Sequence, residues 1–229
     1  MPIYKLDKIV VSVRGSAEKF LSGLTSNTLD APHNAFLNMH GRIVATFDQV
    51  RAGGDLFLLV IASSAWDAAK AHTDRYARLS HTTIEPVALN VYFDLSGDCP
   101  LSEREYTIPQ NSGRMILTAR AIPSDVTADA FTVFRLQNNI PLHGVDYHDD
   151  FILNVHENDF VSYAKGCFLG QEPVSKVHSR SKPTWQLAVR CEDGLSEEEK
   201  AKMTSKARDP KTGRTHGFVF VKNAPAVVE

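Results

Sequence analysis

The chain's densest run of reactive side-chain types is Lys165-Gly166-Cys167-Phe168-Leu169-Gly170-Gln171-Glu172. Cysteine acts as nucleophile or metal ligand through its thiolate, so a neighbouring cation and a nearby helix N-terminus both favour reactivity. Gly166 and Gly170 remove side chains on either side of Cys167, which permits unusual dihedrals and close approach of a ligand. Gln171-Glu172-Pro173 has the make-up of a helix first turn, where proline costs little and an acidic side chain is favoured. On residue types alone, a ligand-facing Cys167 thiol and an inert, buried one are evenly matched. Lys176, His178, Arg180 and Lys182 follow, several cations in a short span that can hold an anionic group such as a carboxylate tail.

A second polar cluster comprises His143, Asp146, His148, Asp149 and Asp150, with His156 and Glu157 beyond it. These types ligate zinc or iron, but their spacing fits no standard site and they bracket a Pro141/Gly144 turn, so a surface turn is expected and no metal. The sequence contains no P-loop, no G-x-G-x-x-G after a strand, no C-x-x-C, no H-E-x-x-H and no G-x-S-x-G.

The elements that position these residues can be read from hydrophobic period. Ile9, Val11 and Val13 alternate as a strand, and Ala17, Phe20, Leu21 and Leu24 then repeat as a helix with Ser16 as its expected N-cap. Val44 to Val50 and Leu56 to Ile61 flank Gly53-Gly54 and predict a hairpin, its second strand apolar on both faces. A helix is expected from Ser64, with Asp67 as capping-box partner and a stripe of Ala65, Ala68, Ala69, His72, Tyr76 and Leu79; His72 reads as a packed core-edge residue. Val87, Leu89, Val91 and Phe93 predict one strand, Met115 to Ala119 another, and Asp125 to Asn138 a helix burying Ala130, Phe131 and Phe134. Glu192 to Arg214 is strongly charged and reads as a solvated helix or mobile loop, with a last strand over Gly217 to Val221. Interleaved strands, hairpins and helices predict an α+β architecture with mainly antiparallel sheets.

The 229 residues carry 25 basic and 27 acidic side chains, a net charge of −2, which gives no bulk footprint for direct nucleic-acid binding. The longest apolar run, Leu56 to Ala62, is too short to span a membrane, and Met1 to Lys8 has no signal-peptide pattern. Three scattered cysteines (Cys99, Cys167, Cys191) argue against a disulfide framework, and a cytoplasmic setting is expected.

The octapeptide K-G-C-F-L-G-Q-E resembles the K-G-C-[FY]-x-G-Q-E signature of the YgfZ-type proteins, which are similar in fold to the aminomethyltransferase (T-protein) of the glycine cleavage system. Phe20-Leu21 with Thr25-Ser26-Asn27, Phe36-Leu37-Asn38 with Gly41-Arg42-Ile43, and the stretch from Arg135-Leu136 through Ile140-Pro141 to Gly144 and Asp146 resemble three further motifs of that family, in its order. The likeness runs from about Ile9 to Leu187. Asn139 stands where the family has glycine, Lys176 where it often has arginine and Ser181 where glycine is usual.

The resemblance implies an aminomethyltransferase-like folate-binding body over residues 1–184 and a shortened C-terminal β domain over 185–229, about 45 residues. It implies a central tetrahydrofolate site and a role in assembling or repairing iron–sulfur clusters of client enzymes, tRNA-modifying ones included. Its partners would be folate and iron–sulfur client or assembly proteins. Cys167 would be the reactive thiol; Lys165, Gln171 and Glu172 would shape the site; Lys176 and Arg180 would meet the folate carboxylates. Two other readings are a one-carbon transfer to tetrahydrofolate and a non-catalytic module of the same fold. True T-proteins carry a G-Y-T-G-E-x-G-Y-E type segment in mid-chain, and Asp94 to Asp129 has none.

Overall fold

A computed structural model describes residues 1–156 and 159–223; the Glu157 named above lies outside the described residues, as does the end of the 185–229 segment. The fold is α+β, and every strand pairing among the described strands is antiparallel.

The largest sheet has five strands: β2 (Lys8–Arg14), β3 (His33–Leu37), β4 (Ile43–Gly53), β5 (Leu56–Ala62) and β6 (Thr83–Val87), in the order β3-β4-β5-β2-β6. One face packs Val11, Val13, Phe47, Phe57, Leu59 and Ile61 against α1 (Ala17–Leu24) and α2 (Trp66–Ser80), which contribute Phe20, Leu21, Leu24, Ala69 and Ala77. The other face turns Val10, Leu58 and Val60 toward a second sheet. Burial on both sides explains why β5 is apolar without alternation. Each such fully buried side chain is worth roughly 1.5–3 kcal/mol of transfer free energy.

The second sheet orders β1 (Ile3–Lys5), β7 (Asn90–Asp94), β9 (Arg114–Thr118) and β8 (Tyr106–Pro109) as β1-β7-β9-β8. Its Val91, Phe93, Met115 and Leu117 share a core with Phe131 of α3 (Ala128–Gln137). After α4 (Ile152–Val155) and α5 (Gln171–Arg180) comes a three-stranded sheet, β10 (Trp185–Cys191), β12 (Thr215–Lys222) and β11 (Thr204–Arg208), with α6 (Glu197–Lys202) before β11. Leu187 and Phe218 of this sheet enter the same buried cluster as Ile152, Leu153 and Val174.

Several local expectations are corrected. Ser16 stands at the N-cap of α1, but at φ 51° its hydroxyl makes no capping bond. The carboxylate of Asp55, at the tip of the β4–β5 hairpin, instead accepts from the Ala17 and Glu18 N–H groups at 2.9 and 2.8 Å. A turn of 3₁₀ helix over Ser63–Ala65 moves the start of α2 to Trp66, so the Ser64/Asp67 capping box does not form. The same offset rotates the helix: Ala68 and Leu79 are exposed, while Thr73 and Ala77 join Ala65, Ala69 and His72 inside. Val87 to Phe93 is two strands in two sheets, because Ala88 and Leu89 carry the chain from β6 to β7. Ala130 is exposed; α3 buries Phe131, Arg135 and Leu136. The charged stretch after Glu192 holds α6, a solvated helix with a capping box between Ser196 and Glu199, but also β11, a paired strand in place of the expected helix or loop.

Candidate functional site

A cavity of about 330 Å³ opens where the five-stranded sheet, the second sheet and α3 meet. At its floor lies Asp48, a carboxylate buried in mid-strand on β4. Lys8 donates to Oδ2 at 2.8 Å, while His33 Nδ1 (2.9 Å) and Gln110 Nε2 (3.2 Å) donate to Oδ1. Burial alone would raise the Asp48 pKa, but the Lys8 ammonium and the His33 hydrogen bond hold it well below the ordinary carboxylate range. Asp48 is therefore a fixed anion that orients its three donors.

A wall of rings runs beside it. His33 stacks on Phe160 (centroids 5.2 Å), Phe160 on His156 (3.8 Å), His156 meets Tyr147 edge-on (5.2 Å), and Tyr147 stacks on His143 (5.3 Å). Tyr147 hydroxyl bridges Thr46 Oγ1 at 2.7 Å and His156 Nε2 at 3.0 Å. Burial pushes His156 down to about 3, with a smaller contribution from His33. Burial, then the charges of His148 and Lys8, takes His143 down to about 4. Both imidazoles are neutral at physiological pH, and burial raises the Tyr147 phenol above its usual range.

The far wall is the loop from Asn139 to Tyr147. Asn139 takes the left-handed conformation, φ 51°, that its substitution for glycine requires. The loop is tied down by Asp146, whose Oδ2 accepts from Arg135 Nη1 and from the Leu142 N–H, each at 2.8 Å. Oδ1 accepts from the hydroxyls of Thr204 (2.8 Å) and Ser205 (2.5 Å), so the C-terminal sheet completes this anchor. The polar cluster is thus not simply a surface turn: Asp146 is buried and His143 and His156 face the cavity, while His148 and Asp149 are exposed. Among the described residues no group of three or more His, Cys, Asp or Glu side chains is placed to hold a metal ion.

The octapeptide lies elsewhere. Cys167 is exposed in a surface cleft of about 350 Å³ lined also by Glu18, Ser22, Leu29, Asp30, Arg51 and Lys165. The Lys165 ammonium donates to the carbonyls of Thr25 (2.6 Å) and Asn27 (2.9 Å), pinning the loop to the end of α1. Burial pushes its pKa down to about 8. Gly170 caps α5 at φ 84°, and a Cβ there would run into the carbonyl oxygen of Asn38. Gly166 has open space around it and an ordinary φ, so that glycine answers no steric demand.

Of the six residues that the sequence singled out, Lys165 and Cys167 share the cleft. Gln171 and Glu172 form the first turn of α5, as predicted, without lining the cleft. Lys176 and Arg180 are exposed on α5, make no side-chain hydrogen bond or ion pair among the described residues, and line neither cavity nor cleft. Placing folate carboxylates on them therefore lacks a geometric basis in the cavity. The residues that sequence reasoning passed over are Lys8, His33, Asp48, Gln110 and Tyr147. One signal was present: an aspartate in the middle of the predicted strand Val44 to Val50 demands a partner if that strand is buried.

Comparison with known proteins adds two likenesses. No protein-family model matches the sequence. The chain is 29% identical to the mitochondrial iron–sulfur cluster assembly factor IBA57 of Mus musculus, over 76% of this chain and 62% of that protein. It thus spans about three-fifths of that relative's length. Its structure is similar to the crystal structure of glycine cleavage system aminomethyltransferase T from Bartonella henselae, with a TM-score of 0.73 at 15% identity, covering 96% of this chain and 78% of that one. The fold is that of the T-protein, and the sequence likeness is to an iron–sulfur cluster assembly factor.

Proposed function

We propose that this chain is a folate-binding factor that serves the assembly or repair of iron–sulfur clusters in client enzymes, tRNA-modifying ones among them. The observation that carries the reading is the separation of two sites on a T-protein fold: a ring-walled cavity for a small molecule, and an exposed thiol in its own cleft. The likeness to an iron–sulfur cluster assembly factor supports the client class.

Tetrahydrofolate fits the cavity on three counts: a volume of about 330 Å³, a stacked aromatic wall for a planar ring, and fixed polar groups at the floor. His33, Gln110 and the rings of Tyr147 and His156 would hold it. Bound there, it supplies nitrogens that carry one-carbon units. Cys167 is the contact toward the iron–sulfur partner, presented by a loop that Lys165 and Gly170 hold rigid. All three cysteines are unpaired, in keeping with a reducing compartment. Among the described residues no helix is long and apolar enough to cross a membrane.

The test is complementation in cells that lack their own assembly factor, reading the activity of an iron–sulfur enzyme. Wild type restores it, and Cys167→Ala, accumulating to the same level, does not. Full rescue by Cys167→Ala would remove the thiol from the function.

A further inference from the structure

The stretch from Pro173 to Cys191 holds four Lys or Arg side chains and no acid, while the remainder of the chain carries 21 basic and 27 acidic ones. A molecule of net negative charge thus concentrates positive charge over α5 and β10. The acids just beyond the stretch are engaged elsewhere, Glu192 with Lys206 at 3.1 Å and Asp193 with Arg214 at 3.7 Å.

The fold gathers most of this charge on one surface. Lys176 and Arg180 lie one turn apart on α5, with the acidic Glu172 one turn before them. On β10, Leu187 and its β12 partner Phe220 pack into the core. Trp185, two residues earlier on the same face, carries that face past the core and is 44% exposed. Antiparallel pairing sets Lys222 of β12 directly opposite Trp185. Lys182 lies in the link from α5 to β10, which Asn223 fastens to the end of β12: its backbone N–H donates to the Thr184 carbonyl at 2.9 Å and its Nδ2 to the Pro183 carbonyl at 2.7 Å. Arg190 points from the other face of β10 and stands outside the strip. Lys176, Arg180, Lys182 and Lys222 are all exposed, and none makes a side-chain hydrogen bond or ion pair among the described residues. The helix macrodipole accounts for Arg180, in the last turn of α5, but not for Lys182, Lys222 or an exposed tryptophan.

We infer that this strip docks the acidic face of a protein partner, whose carboxylates meet Lys176, Arg180, Lys182 and Lys222 around Trp185 as the apolar anchor. Tryptophan and arginine are the side chains that carry protein interfaces, and four cations around one ring on a net acidic chain make a short patch rather than a nucleic-acid track. That the partner is an iron–sulfur client or assembly protein rests on the proposed function. The placement suits that role: α5 has ten residues, about 15 Å of helix, and Gly170 at its other end adjoins the loop that presents Cys167. An ordinary interface of about 800 Å² per partner, roughly 30 Å across, covers the strip and the thiol together. A partner held by its acidic face is thereby brought against Cys167.

The first arm of the experiment is fluorescence polarisation on the full chain with two labelled probes, a short poly-L-glutamate and a mixed-sequence single-stranded RNA of equal charge. Poly-L-glutamate is expected to bind, to weaken as salt rises, and to lose about tenfold in affinity in the Lys176→Glu/Lys182→Glu double variant. Absent or unchanged poly-L-glutamate binding overturns the inference. So does RNA bound at least about tenfold more tightly than poly-L-glutamate and released by the same variant, which would give the strip to nucleic acid. The second arm is complementation read by iron–sulfur enzyme activity. The double variant is expected to lower the restored activity at least about fivefold and Trp185→Ala about threefold. The urea midpoint and the iodoacetamide labelling of Cys167 should stay at wild-type values, because every substituted side chain is exposed. Full rescue by both variants overturns the inference and leaves the assembly reading standing. If wild type itself fails to complement, the assembly reading falls, and the poly-L-glutamate arm alone decides the inference.

Discussion

The cavity and the Cys167 cleft are of similar size, about 330 and 350 Å³, yet they are built in opposite ways. The cavity draws its polar groups from positions 8, 33, 48, 110 and 147, scattered over three strands and two loops, with Lys8, His33 and Gln110 all bonded to the buried Asp48 and Tyr147 bonded to Thr46. The cleft takes its chemistry from one continuous segment and leaves the thiol open to solvent. A buried network is costly to disturb, because each group removed strands its partner. An exposed group on a rigid loop is cheap to change structurally, and its removal is felt only by what docks there. Changes in the cavity are therefore felt in stability as well as in binding, and changes in the cleft mainly in docking.

The sharpest way to break this contrast is Asp48→Ala. It strands the Lys8 ammonium, whose side chain is only 14% exposed, along with two further donors. The expected cost is about 3–5 kcal/mol, read from urea unfolding. Glu18→Ala at the rim of the cleft removes only an exposed pair with Arg51, worth about 0–1 kcal/mol. Equal costs would mean that the cavity network is no tighter than the surface.

The next effect separates the two glycines of the octapeptide. Gly170→Ala forces a left-handed alanine against the Asn38 carbonyl and is expected to cost about 1–3 kcal/mol. Gly166→Ala meets open space and is expected to stay within about 0.5 kcal/mol. Thermal melts of the pair decide it; a reversed order would put the loop's rigidity in Gly166.

The same division governs what could be read before folding. The octapeptide was legible because its residues are adjacent, and Gln171-Glu172-Pro173 starts α5 as its composition says. The β4–β5 hairpin was legible from Gly53-Gly54 between two predicted strands. The cavity was not, because the bond between His33 and Asp48 depends on the register of β3 against β4, which pairs those two residues directly. Gln110 reaches Asp48 across 62 positions, and Thr204 reaches Asp146 across 58. Long-range pairing of this kind leaves no local spacing to find. The Ser64/Asp67 reading failed for a different reason: a 3₁₀ turn at the entrance of α2 shifted the frame by two residues, which a helical period does not register.

Acid offers a graded probe of the cavity's two depressed histidines, over a background to which the buried His72 of α2 contributes. His143 and His156 are held at about 4 and about 3, below the ordinary 6.5 of an unfolded histidine. Between those values the unfolded chain binds more protons, so stability is fully present above about pH 6.5 and falls as the pH drops toward 3. Each histidine contributes at most about 1.4 kcal/mol per pH unit. Unfolding midpoints measured from pH 7 to 4 should decline, and His156→Phe, which keeps a ring against Phe160, should flatten the slope. An unchanged slope in that variant would mean that His156 is solvated in the native state.

The smallest structural effect belongs to the residue with the largest functional claim. Cys167 is exposed, so Cys167→Ala leaves no cavity and no stranded partner; its stability should stay within about 0.5 kcal/mol of wild type. Thiol accessibility gives the complementary reading. Cys99 is 4% exposed, and its backbone N–H is tied to Asp94, so alkylation there must wait for opening of the β7–β8 loop. Cys167 needs no opening and should be labelled first by iodoacetamide under native conditions, with Cys191, half-buried on β10, between the two. Mass spectrometry of timed aliquots resolves the order. If Cys99 and Cys167 react together, the loop held by Lys165 and Gly170 does not present the thiol, and a docking role for the cleft falls with it. If Cys167 reacts first while Cys167→Ala is as stable as wild type, the octapeptide is kept for what it meets outside the molecule rather than for what it holds within.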